Sequence, residues 1–181
     1  MKKSLKNTKT EKNLLEAFLG ESQARNKYSF FASQAKKDGL LSIAEDFLKI
    51  ADNEKVHAKI WFKYLNDLSN TTANIESAIN GEHYEWSQMY KEFAKTAREE
   101  GFPEIADKFD FVGNIEKSHE EYFSKILNKV KNNSVFTCDN DNAIWICAKC
   151  GHIHIGKNAP DVCPVCGHKK NYFKKNCCLK K

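Results

Sequence analysis

Glutamate and histidine recur together at a fixed spacing in the N-terminal part of the chain. Glu54 and His57 form one Glu-x-x-His pair, and Glu116 and His119 form a second. Because residues three apart on a helix are neighbours, each pair brings a carboxylate and an imidazole to one face. Carboxylate and imidazole ligands suit iron or manganese, whereas an oxygen-rich set is poor for copper or structural zinc.

These polar residues interrupt stripes that otherwise carry core side chains. The stripe around the first pair, for example, also holds Ile50 and Trp61 at steps of three and four residues. Burying an unpaired carboxylate is costly, and the stripes offer no lysine or arginine in register, although Arg25 lies near. A bound metal satisfies these charges, as in the di-iron and di-manganese carboxylate bundles. The residues of this predicted site are Glu21, Glu54, His57, Glu82, Glu85, Glu116 and His119.

Four cysteines near the C-terminus show the spacing of metal ligands. Cys147-x-x-Cys150-Gly is followed, after 12 residues, by Cys163-Pro-x-Cys166-Gly, a pattern typical of a tetrahedral tetrathiolate site. A segment of about 40 residues is too small to fold on its own core, so the metal also stabilises it. The spacing alone favours a zinc ribbon, but a redox-active partner domain favours iron, which changes oxidation state. Three further cysteines, expected to be ordinary reduced thiols, are Cys138, Cys177 and Cys178.

The elements that position the glutamates and histidines are predicted to be helices. Helix-period apolar stripes run through residues 1–135 in four segments, which are separated at Gly39, at residues 70–74 and at Gly101. Each segment is long enough for a helix of roughly 20–30 residues, so the sequence predicts an all-α, antiparallel four-helix bundle. The composition changes near residue 135, beyond which all seven cysteines lie. The predicted domains are a helical bundle at 1–135, a linker at 136–143 and a small metal-binding β/loop domain at 144–181.

The helical part contains an internal repeat. Residues 28–65 align with residues 90–127 at a constant offset of 62, with 13 identities in 38 positions. The identities include both Glu-x-x-His pairs, and Tyr28 aligns with Tyr90. We therefore expect a duplicated helix pair and a metal site with pseudo-twofold symmetry.

Composition argues against several classes of protein. Of the 181 residues, 41% are apolar and 29% are charged, which is the balance of a soluble globular protein. No apolar run reaches the roughly 20 residues of a membrane-spanning helix. The basic N-terminus lacks the apolar stretch of a secretory signal, so a cytoplasmic protein is expected. The net charge of +5 comes almost entirely from lysine, which argues against specific nucleic-acid recognition.

Several stretches of the sequence together resemble the rubrerythrin family. They are LGESQARNKY, DNEKVH, GEHYEW, EFAKTAREEGF, CAKCGH and CPVCGH. The resemblance covers nearly the whole chain in the family's usual order, and it implies a ferritin-like di-iron bundle followed by a rubredoxin-like domain. One departure is His152, since rubredoxin-like knuckles often carry tyrosine there; the ligand set is unaffected.

The resemblance also implies roles for individual residues. Glu85 and His57 would be catalytic, because one iron exchanges the glutamate for the histidine on reduction, and Tyr28 and Tyr90 would border the metals. Zinc is possible at the cysteines after heterologous expression. The implied ligands are Glu21, Glu54, Glu82, Glu85, Glu116 and His119 for two non-haem irons, and Cys147, Cys150, Cys163 and Cys166 for a third.

The activity implied by the resemblance is peroxide reduction. The protein would reduce hydrogen peroxide to water in an anaerobic or microaerophilic prokaryote and so protect it from oxidative stress. Electrons from a donor protein or an NAD(P)H-dependent reductase would pass through the rubredoxin-like iron to the di-iron site of a homodimer or higher homo-oligomer. Three alternatives stay open: a ferroxidase or iron-storage protein of the ferritin-like group, a non-enzymatic protein with a partner-binding zinc ribbon, and an oxygenase.

Overall fold

The computed structural model describes residues 4–65 and 68–176. The chain forms two compact units, Met1–Asn70 and Thr71–Lys181. Cys177 and Cys178 lie outside the described residues. Within the described ranges, none of the helices has both the length and the apolarity needed to cross a bilayer.

The first unit is a helical hairpin. Helix α1 (Lys9–Lys37) packs against α2 (Leu41–Tyr64). The Thr8 side chain caps α1 by accepting a hydrogen bond from the backbone N–H of Glu11 at 3.1 Å, which satisfies one of the free donors of the first turn. The turn between the helices contains Gly39 with a φ of +79°, a conformation that favours glycine.

The second unit begins with helices that pack along one long helix. A turn at Gly101, with a φ of +84°, precedes that long helix. Proline at its first position fits because the first helical N–H needs no partner within the helix. The helices are α3 (Thr71–Tyr84), a π-helix (Glu85–Met89), α4 (Tyr90–Glu99) and α5 (Pro103–Lys131).

The π-helix is the main departure from the expected four uninterrupted helices. It lies between Glu82 and Tyr90, which are eight residues apart, whereas their counterparts Glu21 and Tyr28 in the first unit are seven apart. A π-helix holds more residues per turn than an α-helix, so it takes up one extra residue without rotating the helix that follows.

The sequence repeat is present in the packing of both units. Each unit has a small buried alanine cluster against one phenylalanine, because alanine lets two helices approach closely. The aromatic contacts match as well: the Phe31 and Phe47 rings lie 5.7 Å apart, and the Phe93 and Phe109 rings lie 5.6 Å apart. The clusters are Ala32, Ala35, Ala44 and Phe47 in the first unit and Ala94, Ala97, Ala106 and Phe109 in the second.

The second unit ends in a small antiparallel sheet with strand order β2-β1-β3. Its core is built around Trp145, which is 1% exposed and donates a hydrogen bond from Nε1 to the carbonyl of Gly156 at 3.0 Å. Ala143, from the segment predicted as a linker, also packs in this core. The predicted fold class, helices followed by a small strand-and-loop module, is confirmed. The strands are β1 (Ile144–Cys147), β2 (Ile153–Ile155) and β3 (Phe173–Lys175).

Candidate metal centres

Two glutamates and a histidine meet in the first unit. Glu54 and His57 lie one turn apart on α2, and Glu21 reaches them from α1. The Nδ1 atom of His57 lies 2.8 Å from Glu54 Oε2 and 3.8 Å from Glu21 Oε1. The three side chains can place their ligand atoms within 4.8 Å of one another, so they form a possible metal site.

The second unit holds a cluster of the same composition and geometry. Glu116 and His119 lie one turn apart on α5, and Glu82 reaches them from α3. The Nδ1 atom of His119 lies 2.6 Å from Glu116 Oε2 and 3.6 Å from Glu82 Oε2. Two clusters that agree this closely are the structural counterpart of the duplicated sequence.

The donor sets of these clusters suit iron or manganese. Ligand atoms about 2.1 Å from an ion are about 3 Å apart at a right angle, and the histidine–carboxylate distances of 2.6 to 3.8 Å lie around that value. Hard carboxylate oxygens with one imidazole are typical ligands of these ions. Since an octahedral ion takes six ligands, each cluster leaves room for further ligands.

The charges of the second cluster favour a cation. Burial raises the pKa of Glu82, and the neighbouring carboxylate of Glu116 raises it further. Burial also raises the pKa of Tyr90, with further contributions from the charges of Glu85, Glu116 and Glu82. A bound cation would relieve this repulsion and let every carboxylate ionise.

Glu85 and Tyr90 lie near enough to the second cluster for charges to act between them, and Tyr28 is the counterpart of Tyr90 in the first unit. Glu85 is the half-buried first residue of the π-helix and is outside the group of three, although its charge acts on Glu82 and Tyr90. Tyr28 and Tyr90 are half-buried and hold equivalent positions, with ring centroids 6.2 Å from Phe47 and 6.0 Å from Phe109 respectively. The structure thus gathers six of the seven predicted carboxylate-site residues into two groups of three.

The four predicted cysteines come together in the C-terminal module. Cys147 Sγ lies 3.7 Å from Cys166 Sγ, and Cys150 Sγ lies 3.6 Å from Cys163 Sγ. Sulfurs at about 2.3 Å from a tetrahedral metal are about 3.8 Å apart, so the four thiols already have the separation that a metal requires. All four ligand atoms lie within 4.8 Å of one another.

Two matching turns create this arrangement. Gly151 donates its N–H to the carbonyl of Cys147 at 2.9 Å, and Gly167 donates to the carbonyl of Cys163 at 2.9 Å. Both glycines have positive φ, 76° and 72°, where a β-carbon would be strained. Glycine directly after the second cysteine of each knuckle therefore lets the chain turn so that the four thiols face one another.

The thiols need a cation before all four can ionise. The backbone N–H groups of Cys150 and Lys149 lower the pKa of Cys147 to about 7. The N–H of His168 acts on Cys166 in the same direction, but burial and the three neighbouring thiols outweigh it and raise the pKa of Cys166 to about 12. Tetrathiolate binding of zinc or iron supplies the missing positive charge.

Sequence reasoning missed a polar network beside the second cluster. Glu120 accepts a hydrogen bond from Trp86 Nε1, and its carboxylate oxygens lie 3.2 Å from His83 Nδ1. The hydrogen bond from Trp86 is the main reason that the pKa of Glu120 is lowered. His83 is exposed, but its ring contacts this carboxylate. The sequence does contain one indication of this network, because each of the three residues directly follows a predicted metal ligand.

Cys138 also differs from the ordinary thiol expected from the sequence. Lys175 Nζ lies 2.7 Å from its sulfur and donates a hydrogen bond to it. This contact is the main reason that the pKa of Cys138 is lowered. The contact joins residues 37 apart, so no local pattern could have indicated it.

Comparison with known proteins agrees with the two kinds of metal centre. A rubrerythrin family model matches residues 12–127, and a model for the rubredoxin-like domain of rubrerythrin matches residues 145–174. The chain belongs to the rubrerythrin family. Iron binding and a place among the oxidoreductases follow from that membership.

Two curated relatives of similar length support the same assignment. Rubrerythrin-1 of Clostridium acetobutylicum is 43% identical, with 94% of this chain and 96% of the relative covered. Rubrerythrin of Nitratidesulfovibrio vulgaris is 42% identical, with the same coverage of 94% and 96%. A solved structure of nigerythrin in a mixed-valence state is 28% identical, with 97% of this chain and 89% of that chain covered and a TM-score of 0.36.

Proposed function

We propose that this rubrerythrin is a peroxidase that reduces hydrogen peroxide to water. The observation that carries the proposal is the duplicated Glu–Glu–His cluster in a chain that also gathers four thiols in tetrahedral spacing. The reaction is H2O2 + 2 e− + 2 H+ → 2 H2O. Iron on the carboxylates would supply both electrons, and iron on the thiolates would return them one at a time.

The chain's own residues would bind the irons and control the charge around them. The five carboxylates exceed the +4 charge of two iron(II) ions by one negative charge, whereas the +6 charge of two iron(III) ions exceeds theirs by one positive charge. We propose that Glu85 binds when the charge is higher and that His57 replaces it on reduction. The hydroxyls of Tyr28 and Tyr90 would donate hydrogen bonds beside the irons.

We also propose that the protein works as a homodimer or higher homo-oligomer. Large apolar side chains remain exposed on both units, for example Leu19 and Phe30 on α1 and Phe111 and Tyr122 on α5. A contiguous patch of exposed apolar side chains marks an association surface, and we propose that side chains of this kind form one on each unit. The electron donor would be a second protein or an NAD(P)H-dependent reductase. Relatives in Clostridium and Nitratidesulfovibrio support an anaerobic or microaerophilic source.

The test follows the colour of the tetrathiolate iron. The full-length, iron-loaded protein is reduced without oxygen, which bleaches the iron(III)–thiolate bands, and hydrogen peroxide is then added in excess over the electrons held by the three iron(II) ions. We expect the bands to return rapidly in the wild type. In a Glu54→Ala, Glu116→Ala double variant the return should be at least 100-fold slower, because the carboxylate clusters no longer bind iron.

Two outcomes would count against the peroxidase. An equally fast return of colour in the double variant would mean that peroxide oxidises the thiolate iron directly. A wild type that ignores peroxide but consumes dioxygen while oxidising added iron(II) would favour the ferroxidase alternative. The matched control is Glu121→Gln, which changes an exposed carboxylate on the same helix as Glu116. This variant should behave as the wild type.

A further inference from the structure

The carboxylate of Glu120 on α5 contacts the side chains of Trp86 and His83. In the sequence, these two residues directly follow the predicted ligands near the π-helix. Trp86 Nε1 donates a hydrogen bond to Glu120 Oε2, and His83 Nδ1 lies 3.2 Å from each oxygen of the same carboxylate. Trp86 lies within the π-helix and His83 lies on the last turn of α3. Glu120 therefore connects the π-helix and the end of α3 to α5.

Each residue of this network lies one position after a predicted metal ligand in the sequence. Neighbouring side chains on a helix differ by about 100° in direction, so the network lies beside the cluster rather than within it. Its residues lie on the same three backbone segments as the predicted ligands, and their contacts connect these segments. The residues directly before His83, Trp86 and Glu120 are Glu82, Glu85 and His119.

Two lysines add to the network at the tryptophan ring. Lys91 Nζ lies 5.2 Å and Lys117 Nζ lies 5.4 Å from the centroid of the Trp86 ring. Ammonium groups at this distance are attracted to an aromatic face. Lys117 also offsets the charge of Glu120. The tryptophan is therefore held by its N–H and by its ring.

The network is specific to the repeat that contains the π-helix. At the repeat offset of 62, the counterpart of Glu120 is Ala58, a buried alanine that can accept no side-chain hydrogen bond. The counterpart of Lys117 is Lys55, so the lysine is shared while the carboxylate is not. Among the described residues of the first unit there is no π-helix. The carboxylate of Glu120 and the additional residue in the π-helix therefore occur in the same repeat, and the other repeat has neither at the aligned positions.

We propose that Glu120 is a positioning residue for iron binding, acting through Trp86 and His83. It holds the π-helix against α5 and so fixes the backbone that presents Glu82 and Glu85. Glu120 itself does not bind the metal. The proposal rests on the proposed function only in requiring that these glutamates bind iron.

The test measures iron(II) affinity in the full-length protein with zinc in the cysteine site. Anaerobic titration against a competing chelator gives the affinity, and the melting temperature of protein with metal-free carboxylate clusters reports the stability of the fold. Loss of a residue that orients a ligand typically weakens metal binding 10- to 100-fold, and we expect a loss of that size for Glu120→Ala. Glu120→Gln should lose less, because its amide oxygen still accepts from Trp86, and Glu121→Gln should lose nothing.

A double variant separates positioning from general destabilisation. Trp86→Phe should weaken iron(II) binding less than Glu120→Ala, which also removes the His83 contact. Combining the two should cause little loss beyond that of Glu120→Ala, since both remove the hydrogen bond between Trp86 and Glu120. Iron(II) affinity within twofold of wild type in Glu120→Ala would overturn the proposal, whatever the change in melting temperature. A wild type that binds iron but does not reduce peroxide would overturn the proposed function alone, because the affinity ratios would still decide the role of Glu120.

Discussion

Glu82 and Tyr90 are eight residues apart, and the π-helix Glu85–Met89 lies between them. Seven residues of α-helix return to within about 20° of the starting face, whereas eight overshoot by about 80°. The Tyr90 ring nevertheless meets Phe109 at 6.0 Å and 36°, as the Tyr28 ring meets its phenylalanine at 6.2 Å and 36°. The wide π-turn therefore absorbs one residue and preserves the packing beyond it.

Deleting the exposed residue Gln88 should convert this π-helix to α-helix. The seven-residue spacing of the first unit would be restored, so the melting temperature of the metal-free protein should fall by less than about 4 °C. Because Glu85 would change direction relative to Glu82, iron(II) binding should weaken at least tenfold. Circular dichroism melting and anaerobic iron titration measure the two effects.

A deletion in regular helix provides the control for the Gln88 deletion. Removing the exposed Lys95 from α4 rotates the residues that follow by about 100° and takes Ala97 out of the helix contact. Its melting temperature should fall much further. Equal destabilisation by the two deletions would contradict the view that the π-helix accommodates an inserted residue.

How far each part of the molecule could be predicted depended on how local its pattern is. The clustering of the four cysteines could be predicted, because each knuckle consists of a few adjacent residues. The π-helix could not, because steps such as Glu82 to Glu85 and Glu85 to Met89 also fit a regular helix. The signal was a change in the repeat offset, from 62 at Tyr28 to 61 at Glu21.

The network around Glu120 was missed for a different reason. Glu120, His83 and Trp86 lie off the apolar stripe, where polar residues are usually solvated, and their contact joins segments more than 30 residues apart. Helix periodicity gives the face of a residue but not its partner on another helix. Such pairings need the packing of α3 and the π-helix on α5, which only the structure supplies.

Enlarging the fully buried alanines should destabilise both units to a similar extent. Ala44 and Ala106 are each 0% exposed and are counterparts in the repeat. Inserting methylenes into such tight contacts typically costs about 1–3 kcal/mol, so Ala44→Leu and Ala106→Leu should each lower the free energy of unfolding by that amount. Urea denaturation of the metal-free protein measures it. Glu45→Leu, at an exposed neighbouring position, should cost far less, and an equal cost would contradict the packing described for α2.

Cys138 should react with alkylating reagents at lower pH than an ordinary thiol. Lys175 stabilises its thiolate, so the midpoint of the pH–rate profile should lie below the usual thiol pKa of about 8.5. Lys175→Met should move the midpoint upwards, whereas Lys174→Met, a change at an exposed neighbour, should not. Iodoacetamide labelling from pH 6 to 9.5, with the cysteine site metal-loaded and the peptide containing Cys138 followed by mass spectrometry, gives the rates. Identical midpoints in the two variants would exclude the lysine as the cause.

Loss of one metal-binding cysteine should unfold the C-terminal module and leave the helices intact. Cys163 is 1% exposed and packs in the same core as Trp145, so its thiol contributes core packing as well as being a predicted ligand of the four-cysteine cluster. A module this small depends on its metal for folding. Cys163→Ser should therefore release the metal and raise hydrogen exchange in β1 and β3 to nearly the unfolded rate, while exchange in α2 stays unchanged. Exchange followed by mass spectrometry resolves these segments.

Cys138→Ser is the matched control, because it removes a sulfur outside the four-cysteine cluster. Protected strands in a metal-free Cys163→Ser protein would show that the apolar core alone is sufficient to fold the module.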